Sequence, residues 1–373
     1  MVFYFPTYLA TGNAFCNRTD ELKRLIYDLK NSIPVLLMSP RRYGKTSLAM
    51  RAIEQLQYPY ADIDLFKACD EHDIAKIILT GIGQLLGQIE SSPKKLLAIA
   101  ADFFNTLSIN VSLVHAGIAL DFSKKEIKPI DTVLNALKKL QTLAAKKNKK
   151  VILFLDEFQA VSEVTKNYAL EAVLREVAQK SKNLLFIFSG SNRHLMEKMF
   201  FDKKRPLYKL CDLIVLDRIE AVHYIRHIQN AAKHEWKTEL SDSAIQEILK
   251  LSELHPYYVN KLCSLLWQND KPPSEKSINE TWKRFVLENK SVTERELLLL
   301  TPLRRKLLII FSENANIKGI YAKDSLTMVG LSLGGIQKSI KHLTQMDYVY
   351  VDQDGCYKIL DPLIKNVLIL EKE

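Results

Sequence analysis

Residues 39–46 of this chain read Ser39-Pro40-Arg41-Arg42-Tyr43-Gly44-Lys45-Thr46, and an apolar run, Pro34–Met38, comes directly before them. A short apolar run that leads into such a turn is typical of a buried parallel strand followed by a phosphate-binding loop. In that loop the backbone N–H groups point inward around the phosphates, and the next helix directs the positive end of its dipole at them. Lys45 would reach the β- and γ-phosphates. The segment therefore predicts a site for ATP or GTP.

The same loop offers a ligand for magnesium, because the Thr46 hydroxyl is a hard oxygen donor of the kind that Mg²⁺ prefers. One feature departs from the usual pattern. The motif normally opens with glycine, whereas Ser39 is followed here by Pro40, which has no N–H and a fixed φ, so the first turn is stiffer. A Gly-Lys-Thr turn that merely begins an ordinary helix is the alternative. The residues predicted to contact the nucleotide in this loop are Arg42, Tyr43, Gly44, Lys45, Thr46 and Ser47.

A second segment supplies acidic residues at the end of a strand. The apolar run 151–155 is followed by Asp156 and Glu157. In this position Asp156 would hold the metal, usually through water, and Glu157 would act as the general base that polarises the attacking water. A strand that ends in a solvated acidic turn is the alternative. The base also disfavours a sugar or nucleoside kinase, since no site for an acceptor substrate is evident.

A third apolar run, residues 183–188, ends at Ser189-Gly190-Ser191. Strands that alternate with helices along the chain predict a parallel sheet in a three-layer α/β fold, with residues 213–216 as its last strand. The end of the 183–188 strand would then lie beside the loop and the acids. Ser189 is therefore a candidate for hydrogen bonding to the γ-phosphate or to the attacking water, with a plain strand-ending turn as the alternative.

Length and composition limit the class of protein. With 373 residues, of which 47% are hydrophobic, the chain is long enough for two or three domains. Its five scattered cysteines form no Cys-x-x-Cys pair, which indicates neither a disulfide framework nor a zinc site, and a reducing cytoplasm is the expected compartment. No apolar run approaches the roughly 20 residues that a membrane span needs, so no membrane partner is expected.

The net charge is +10, and it is concentrated in one place. Residues 121–150 contain nine lysines and three acidic residues, so this stretch alone contributes +6. Such a stretch is compatible with binding to nucleic acid, but the concentration of lysines is equally typical of a solvated helix that ends in a solvated loop.

The order of the predicted helices and strands along the chain indicates three domains. Residues 1–217 form the nucleotide-binding core, with a β-hairpin inserted near 108–122, where apolar residues alternate at period two. Residues 218–292 are a helical lid. Residues 293–373 carry helices at 301–312, 322–329 and 332–346, then two short strands around a turn at 352–355, which is the pattern of a winged helix-turn-helix.

The ordered set of motifs resembles the archaeal-type ATPase family, within the AAA+ and STAND branch of P-loop ATPases, over nearly the whole chain. This resemblance implies an α/β fold with a parallel P-loop NTPase core of AAA+ type, a helical lid and a C-terminal winged helix-turn-helix, with ATP and Mg²⁺ as cofactors. The matching segments are residues 15–21, 40–47, 154–159, 188–191, 206–208, 255–258 and 361–363.

The family pattern also implies a residue in the lid that senses the phosphates. Leu254 stands where glycine is usual, and Lys209-Leu210 replaces the Gly-Arg that typically follows Pro-Leu-Tyr. His255 is a candidate for contact with a phosphate, although a histidine before proline can equally serve in packing. Candidates for a sensor or trans-acting arginine are Arg193, Arg205 and Arg218.

These features are compatible with two functions. The first is an ATP-binding and ATP-hydrolysing switch that couples its nucleotide state to duplex DNA through the winged helix. The low positive charge of the C-terminal region argues against DNA binding, since contacts to phosphates provide most of the affinity for DNA. Residues 299–373 carry a net charge of only +2, and the expected recognition helix has only Lys338 and Lys341 as cations. The alternative is a nucleotide-dependent switch whose output is a partner protein or self-assembly, with slow or no turnover and no DNA binding.

Overall fold

The computed structural model describes residues 4–370 except 91, 106, 108, 115–116, 122–127, 166, 314–332 and 353. The chain divides into two compact units. One comprises Arg18–Asp217, and the other combines Met1–Asn17 with Arg218–Glu373. The three-domain division stays a prediction.

The first unit is built on one parallel sheet of five strands. In the order in which they lie side by side, the strands are β2 (Tyr60–Asp64), β5 (Val151–Asp156), β6 (Leu184–Gly190), β1 (Val35–Met38) and β7 (Asp212–Val215). Every residue of β1 and β6 is buried, as expected for strands that are covered on both faces. The prediction of a parallel α/β sheet is confirmed. Because β6 lies between β1 and β5, the ends of all three strands meet at one edge.

Helices surround this sheet. The helix after β1 buries Leu48, Ala49, Ala52 and Ile53, a spacing that places them on one face. An antiparallel pair, β3 (Asn110–Val114) and β4 (Gly117–Asp121), lies between two of the helices in sequence. The helices of this unit are α1 (Thr19–Lys30), α2 (Lys45–Leu56), α3 (Glu71–Ile89), α4 (Pro93–Asn105), α5 (Pro129–Lys146), α6 (Ala160–Val164), α7 (Ala169–Lys180) and α8 (Arg193–Phe201).

The second unit is mainly helical and contains two hydrophobic cores. The first core is built from α9 (Ala221–Trp236), α10 (Asp242–Ser252), α11 (Pro256–Leu266) and α12 (Glu275–Leu298). Phe5, from the beginning of the chain, packs into it against His227 and Trp267.

The second core contains α13 (Pro302–Glu313), α14 (Leu333–Gln345), an antiparallel pair of strands, β8 (Val349–Val351) and β9 (Tyr357–Ile359), and α15 (Pro362–Leu370). The helix expected at 322–329 lies outside the described residues, so the winged helix-turn-helix stays a prediction.

Among the described residues, none of the helices combines the length and the apolar character needed to cross a membrane. All five cysteines are free thiols.

An acidic pair lies where α1 approaches β7. Arg24 on α1 binds both carboxylate oxygens of Asp212, with Nε–Oδ2 and Nη2–Oδ1 distances of 2.8 and 2.7 Å. Asp28, one turn further along α1, is buried. Burial raises the pKa of Asp28 from 3.8 to about 6, helped by its hydrogen bond to Asp212 and the negative charge there. The folded protein therefore holds a proton on Asp28 to a higher pH than the unfolded chain does.

From this follows a dependence of stability on pH. Because the pKa of Asp28 is higher in the folded state, its contribution to stability is complete below about pH 4 and is lost as the pH rises through about 6. Asp28→Asn donates to Asp212 at every pH, so we expect its free energy of unfolding to exceed that of the wild type by about 1–2 kcal/mol at pH 8. Urea unfolding from pH 4 to 8 measures this. Asp20→Asn, at an exposed position of α1, is the control, and a difference for Asp28→Asn that is constant with pH would contradict the assignment.

Candidate functional site

The loop between β1 and α2 has the geometry of a phosphate-binding loop. Gly44 precedes α2 with φ +95°, a conformation that glycine adopts without a steric penalty. Lys45 is the first residue of α2, and its Nζ donates to Ser39 O at 3.0 Å and to Pro40 O at 3.1 Å. Its ammonium group is thus held over the carbonyls of the loop, at the amino end of α2, where anions bind.

The departure from an opening glycine has a structural explanation. Ser39 is completely buried, and its Oγ donates to Pro40 O at 3.0 Å. Ser39 Oγ also accepts a hydrogen bond from Lys45 Nζ at 3.4 Å. Serine therefore adds an acceptor for the lysine. Arg42 is exposed in a left-handed conformation with φ 65°, and Tyr43 is buried, with its carbonyl accepting from Arg18 Nη2 at 3.3 Å.

Thr46 and Asp156 come together as the predicted magnesium ligands. Thr46 Oγ1 donates to Asp156 Oδ2 at 2.9 Å, which joins the first turn of α2 to the end of β5. The donors fit Mg²⁺, which is usually held by one or two carboxylates together with phosphates and water. No group of three or more His, Cys, Asp or Glu side chains suited to a metal occurs in the part of the chain that the structure describes. Ser47, the next residue of α2, is buried.

Glu157 follows directly after β5 and is held by two neighbouring side chains. Ser191 Oγ donates to Glu157 Oε2 at 2.7 Å, and Gln159 Nε2 donates to the same oxygen. Glu157 N donates to Asp156 Oδ1 at 3.0 Å, and the backbone at Glu157 is left-handed with φ 49°. Both carboxylates of the acid pair thus have defined orientations at the edge of the sheet where the phosphate loop begins.

The two serines near the end of β6, Ser189 within the strand and Ser191 directly after it, differ in their surroundings. Ser189 is fully buried and pairs in register with Leu37 of β1, and its Oγ has no hydrogen-bond partner among the described residues. Its contact with a γ-phosphate or water stays a prediction. Ser191, two residues on, is the serine that binds Glu157. The sequence motif Ser-Gly-Ser contained this residue, but only the fold places it beside the acid.

Two further acids, not expected from the sequence, lie on the strand next to β5. Asp64 pairs in register with Asp156, and Asp62 lies two residues earlier on β2. Partial desolvation raises the pKa of Asp62, and the negative charges of Asp156 and Asp64 raise it further. Their signal in the sequence is the alternation of acids with apolar residues at 61–65, but the pairing of β2 with β5 is a property of the fold.

Arg205, one of the candidate arginines, forms an ion pair within the first unit. It is buried and paired with Glu171, with a distance of 3.1 Å from Nε to Oε2, and its guanidinium lies 4.1 Å from the centre of the Tyr168 ring. Burial raises the pKa of Glu171, an effect that Arg205 opposes. Arg193 is the first residue of α8, directly after the Asn192 cap that follows β6.

The remaining candidates belong to the second unit. His255 precedes α11, and its Nδ1 accepts a hydrogen bond from Tyr257 N at 3.2 Å. Leu254 has φ 57°, in the left-handed region that favours glycine, which gives a physical reason for the glycine that is usual there. Arg218 Nη1 donates to Glu253 O at 2.5 Å and Nη2 to Leu360 O at 2.9 Å. Contact of His255 with a phosphate stays a prediction.

The fold has known relatives among solved structures. The Walker-type ATPase PABY2304 of Pyrococcus abyssi superposes with a TM-score of 0.71 over 97% of this chain and 98% of that chain, at 19% identity. The ORC2 protein of Aeropyrum pernix, in ADPNP–ADP complexes, gives a TM-score of 0.59 over 99% of this chain and 98% of that chain, at 14% identity. At such identities the likeness establishes the fold. No curated protein sequence matches significantly.

Together the strand order, the phosphate loop and the acid pair define the fold of a P-loop NTPase. Residues 15–262 match the family model for ATPase domains that occur predominantly in Archaea. The chain belongs to that family of ATPases, and the predicted resemblance to the archaeal-type ATPase family is confirmed.

Proposed function

We propose that this protein is a magnesium-dependent ATPase that acts as a switch, with its nucleotide state controlling the binding of DNA by the C-terminal region. The observation that carries the ATPase part is the contact of Thr46 with Asp156 beside an oriented Glu157. The nucleotide complexes of the ORC2 protein of similar fold support adenine nucleotides as ligands.

Each residue of the site has a role in this proposal. Lys45 neutralises the β- and γ-phosphates, and Thr46 with Asp156 would hold Mg²⁺, which supplies charge neutralisation at the phosphates when bound. Glu157 accepts a proton from the attacking water. As the hydroxide attacks the γ-phosphorus and ADP leaves, the amino end of α2 would stabilise, through its dipole, the negative charge that develops on the phosphates.

The second unit contains a direct connection between its helical region and its C-terminal region. The Tyr258 hydroxyl of α11 lies 2.6 and 2.8 Å from the two carboxylate oxygens of Asp361, which precedes α15. Lys365 of α15 binds Glu253 Oε1 at 2.6 Å. These buried and half-buried contacts support the coupling of the two regions, because a displacement of one would have to break charged hydrogen bonds to the other.

For contact with DNA, α14 offers a polar face opposite its buried face. Ile336 and Ile340 are buried in the second core, whereas Gln337, Lys338 and Lys341 are exposed. Exposed lysines and an amide on one side of a helix are suited to phosphates and base edges. This arrangement supports α14 as the helix that meets DNA.

The lysines of α5 and the following loop are engaged within their own unit. Five of the six lysines at 138–150 make contacts that join this segment to its neighbours, so they offer fewer free charges than the sequence indicated. The contacts are Lys138 with Glu176, Lys139 with Phe103 O, Lys147 with Glu90, Lys149 with Ile89 O, and Lys150 with Lys30 O.

A salt series tests the DNA part of the proposal. We expect Lys338→Gln together with Lys341→Gln to weaken binding of every duplex sequence and to reduce the salt slope by about one unit for each phosphate that no longer has a lysine partner. Gel shifts at several salt concentrations, with ATP and with ADP, measure this. Lys276→Gln, at an exposed position of α12, is the matched control. A shift that the α14 substitutions leave unchanged would contradict the assignment of this helix.

The alternative function is a switch whose nucleotide state controls the binding of a partner protein or of a second copy of the chain. It is favoured by the low charge of the C-terminal region and by exposed apolar side chains at the end of α12, where Leu298 and Leu299 are 63% and 86% exposed. ATP turnover measured with and without duplex DNA separates the two. Absence of any DNA shift at low salt, in either nucleotide state, would favour the protein-interaction switch.

A further inference from the structure

Glu157 is bound on one side only, and this arrangement assigns a role to a residue outside the predicted site. Ser191 Oγ and Gln159 Nε2 both donate to Oε2 of Glu157. Its other oxygen, Oε1, accepts no hydrogen bond from the described residues. We propose that Gln159 is a positioning residue which, with Ser191, holds Glu157 so that Oε1 is directed at the attacking water. The proposal rests on the role of Glu157 as general base.

Such a clamp is needed because the backbone at Glu157 is unfavourable. A residue with a side chain in the left-handed region, here with φ 49°, is sterically strained and persists only where the surroundings enforce it. A glutamate side chain also has three rotatable bonds, and fixing them has an entropic cost. Hydrogen bonds to a charged oxygen are stronger than those between neutral groups, so two of them on one carboxylate oppose both effects.

Gln159 is built into the protein in a way that fixes its amide. The residue is 5% exposed, and its Oε1 is buried without a hydrogen-bond partner among the described residues. The reverse orientation of the amide would place its oxygen against the carboxylate, so the amide nitrogen must face Glu157. A buried, unpaired amide oxygen is destabilising, and a purely structural glutamine would have no reason to retain it.

Gly190 makes room for this amide. A Cβ atom at Gly190 would lie 2.5 Å from Gln159 Oε1 and 2.6 Å from Met196 Sδ, closer than atoms normally approach. Gly190, the last residue of β6, thus leaves the space that the Gln159 amide occupies. This packing leaves the glutamine little freedom to turn away from Glu157.

The phosphate loop contacts the other half of the clamp. Arg41 Nε donates to Ser191 Oγ at 3.2 Å. Since the serine hydroxyl accepts from Arg41, its single proton is directed to Glu157. Arg41 is also an exposed cation in the loop that receives the phosphates. The orientation of the general base is therefore linked to the conformation of the phosphate loop through Ser191.

Substitution of Gln159 by methionine tests the proposal, since methionine keeps the length of the side chain and removes the donor. We expect Gln159→Met to lower kcat by roughly 10²-fold, the scale of a misplaced catalytic group, with the Kd for ATP changed less than about threefold. Gln55→Met, at an exposed position of α2, is the control. Thermal unfolding verifies that each variant is folded.

Two substitutions of Ser191 test the proposal independently if the Gln159→Met variant fails to fold. We expect Ser191→Ala to lower kcat and Ser191→Thr, which retains the hydroxyl, to restore most of it. We also expect Gln159→Met to cause no further loss when combined with Glu157→Gln, because a clamp acts only through the base. Normal kcat in Gln159→Met and Ser191→Ala, or an equal additional loss in the double variant, would overturn the inference while leaving the ATPase intact. A folded wild type without turnover would overturn the proposed function itself.

Discussion

Replacing Lys45 with alanine is expected to abolish tight binding of ATP. The ammonium group of Lys45 is held at the amino end of α2 by the carbonyls of Ser39 and Pro40, where it would meet the β- and γ-phosphates. Charge-assisted hydrogen bonds contribute about 1.5–3 kcal/mol each, so removal of two corresponds to a fall in affinity of roughly 10²-fold or more. Isothermal titration with ATP and Mg²⁺ measures it.

The control for this experiment must separate the removal of a phosphate ligand from damage to the fold. Lys23→Ala, at a side chain of α1 that is 75% exposed, should bind ATP as the wild type does. Lys45→Met keeps the aliphatic stem in the buried site, and its affinity should fall as that of the alanine variant does. If Lys45→Ala retains the wild-type affinity while its unfolding is unchanged, the phosphate site lies elsewhere.

Glu157→Gln is expected to keep ATP bound while hydrolysis slows by roughly 10²-fold or more. A general base contributes about 10²–10⁴-fold, and glutamine has nearly the same shape as glutamate but does not accept the proton from water. Single-turnover measurements with saturating ATP separate the chemical step from binding and product release.

Glu163→Gln, at a position on α6, is the matched control and should hydrolyse ATP normally. Turnover of Glu157→Gln equal to that of the wild type would mean that this residue is not the base. Loss of ATP binding in the variant would instead indicate that its carboxylate acts mainly in holding the nucleotide.

Much of the core could be predicted from the sequence because its elements are strongly patterned. The strands at 35–38, 151–156 and 184–190 are formed mainly by continuous apolar runs, 35–38, 151–155 and 184–188, as expected for strands covered on both faces. The helix α8 had no counterpart in the sequence-based expectations. It is nine residues long, with Met196, Met199 and Phe200 as its buried residues, and so short a segment carries too little periodicity to be recognised.

The phosphate-loop residues and the acid pair were predicted from local motifs, because the chemistry proposed for them depends on neighbours in the chain. Lys45 and Thr46 need only the turn and the helix that follow one another in sequence, and Asp156 and Glu157 need only the end of a strand. The contact of Thr46 with Asp156 forms because β1 and β5, which flank β6, end at the same edge of the sheet.

What only the tertiary structure decided is which side chains surround Glu157, the proposed base. Ser189, Ser191 and Gln159 are equally polar in the sequence, yet one serine is buried between strands while Ser191 and Gln159 bind Glu157. These contacts depend on the order of strands in the sheet and on the left-handed backbone at Glu157. Ser191 lies 34 residues from Glu157 along the chain, whereas Gln159 lies only two residues away. The sheet brings Ser191 to the proposed base, and the left-handed backbone at Glu157 brings Gln159 to it, and a local sequence motif records neither effect.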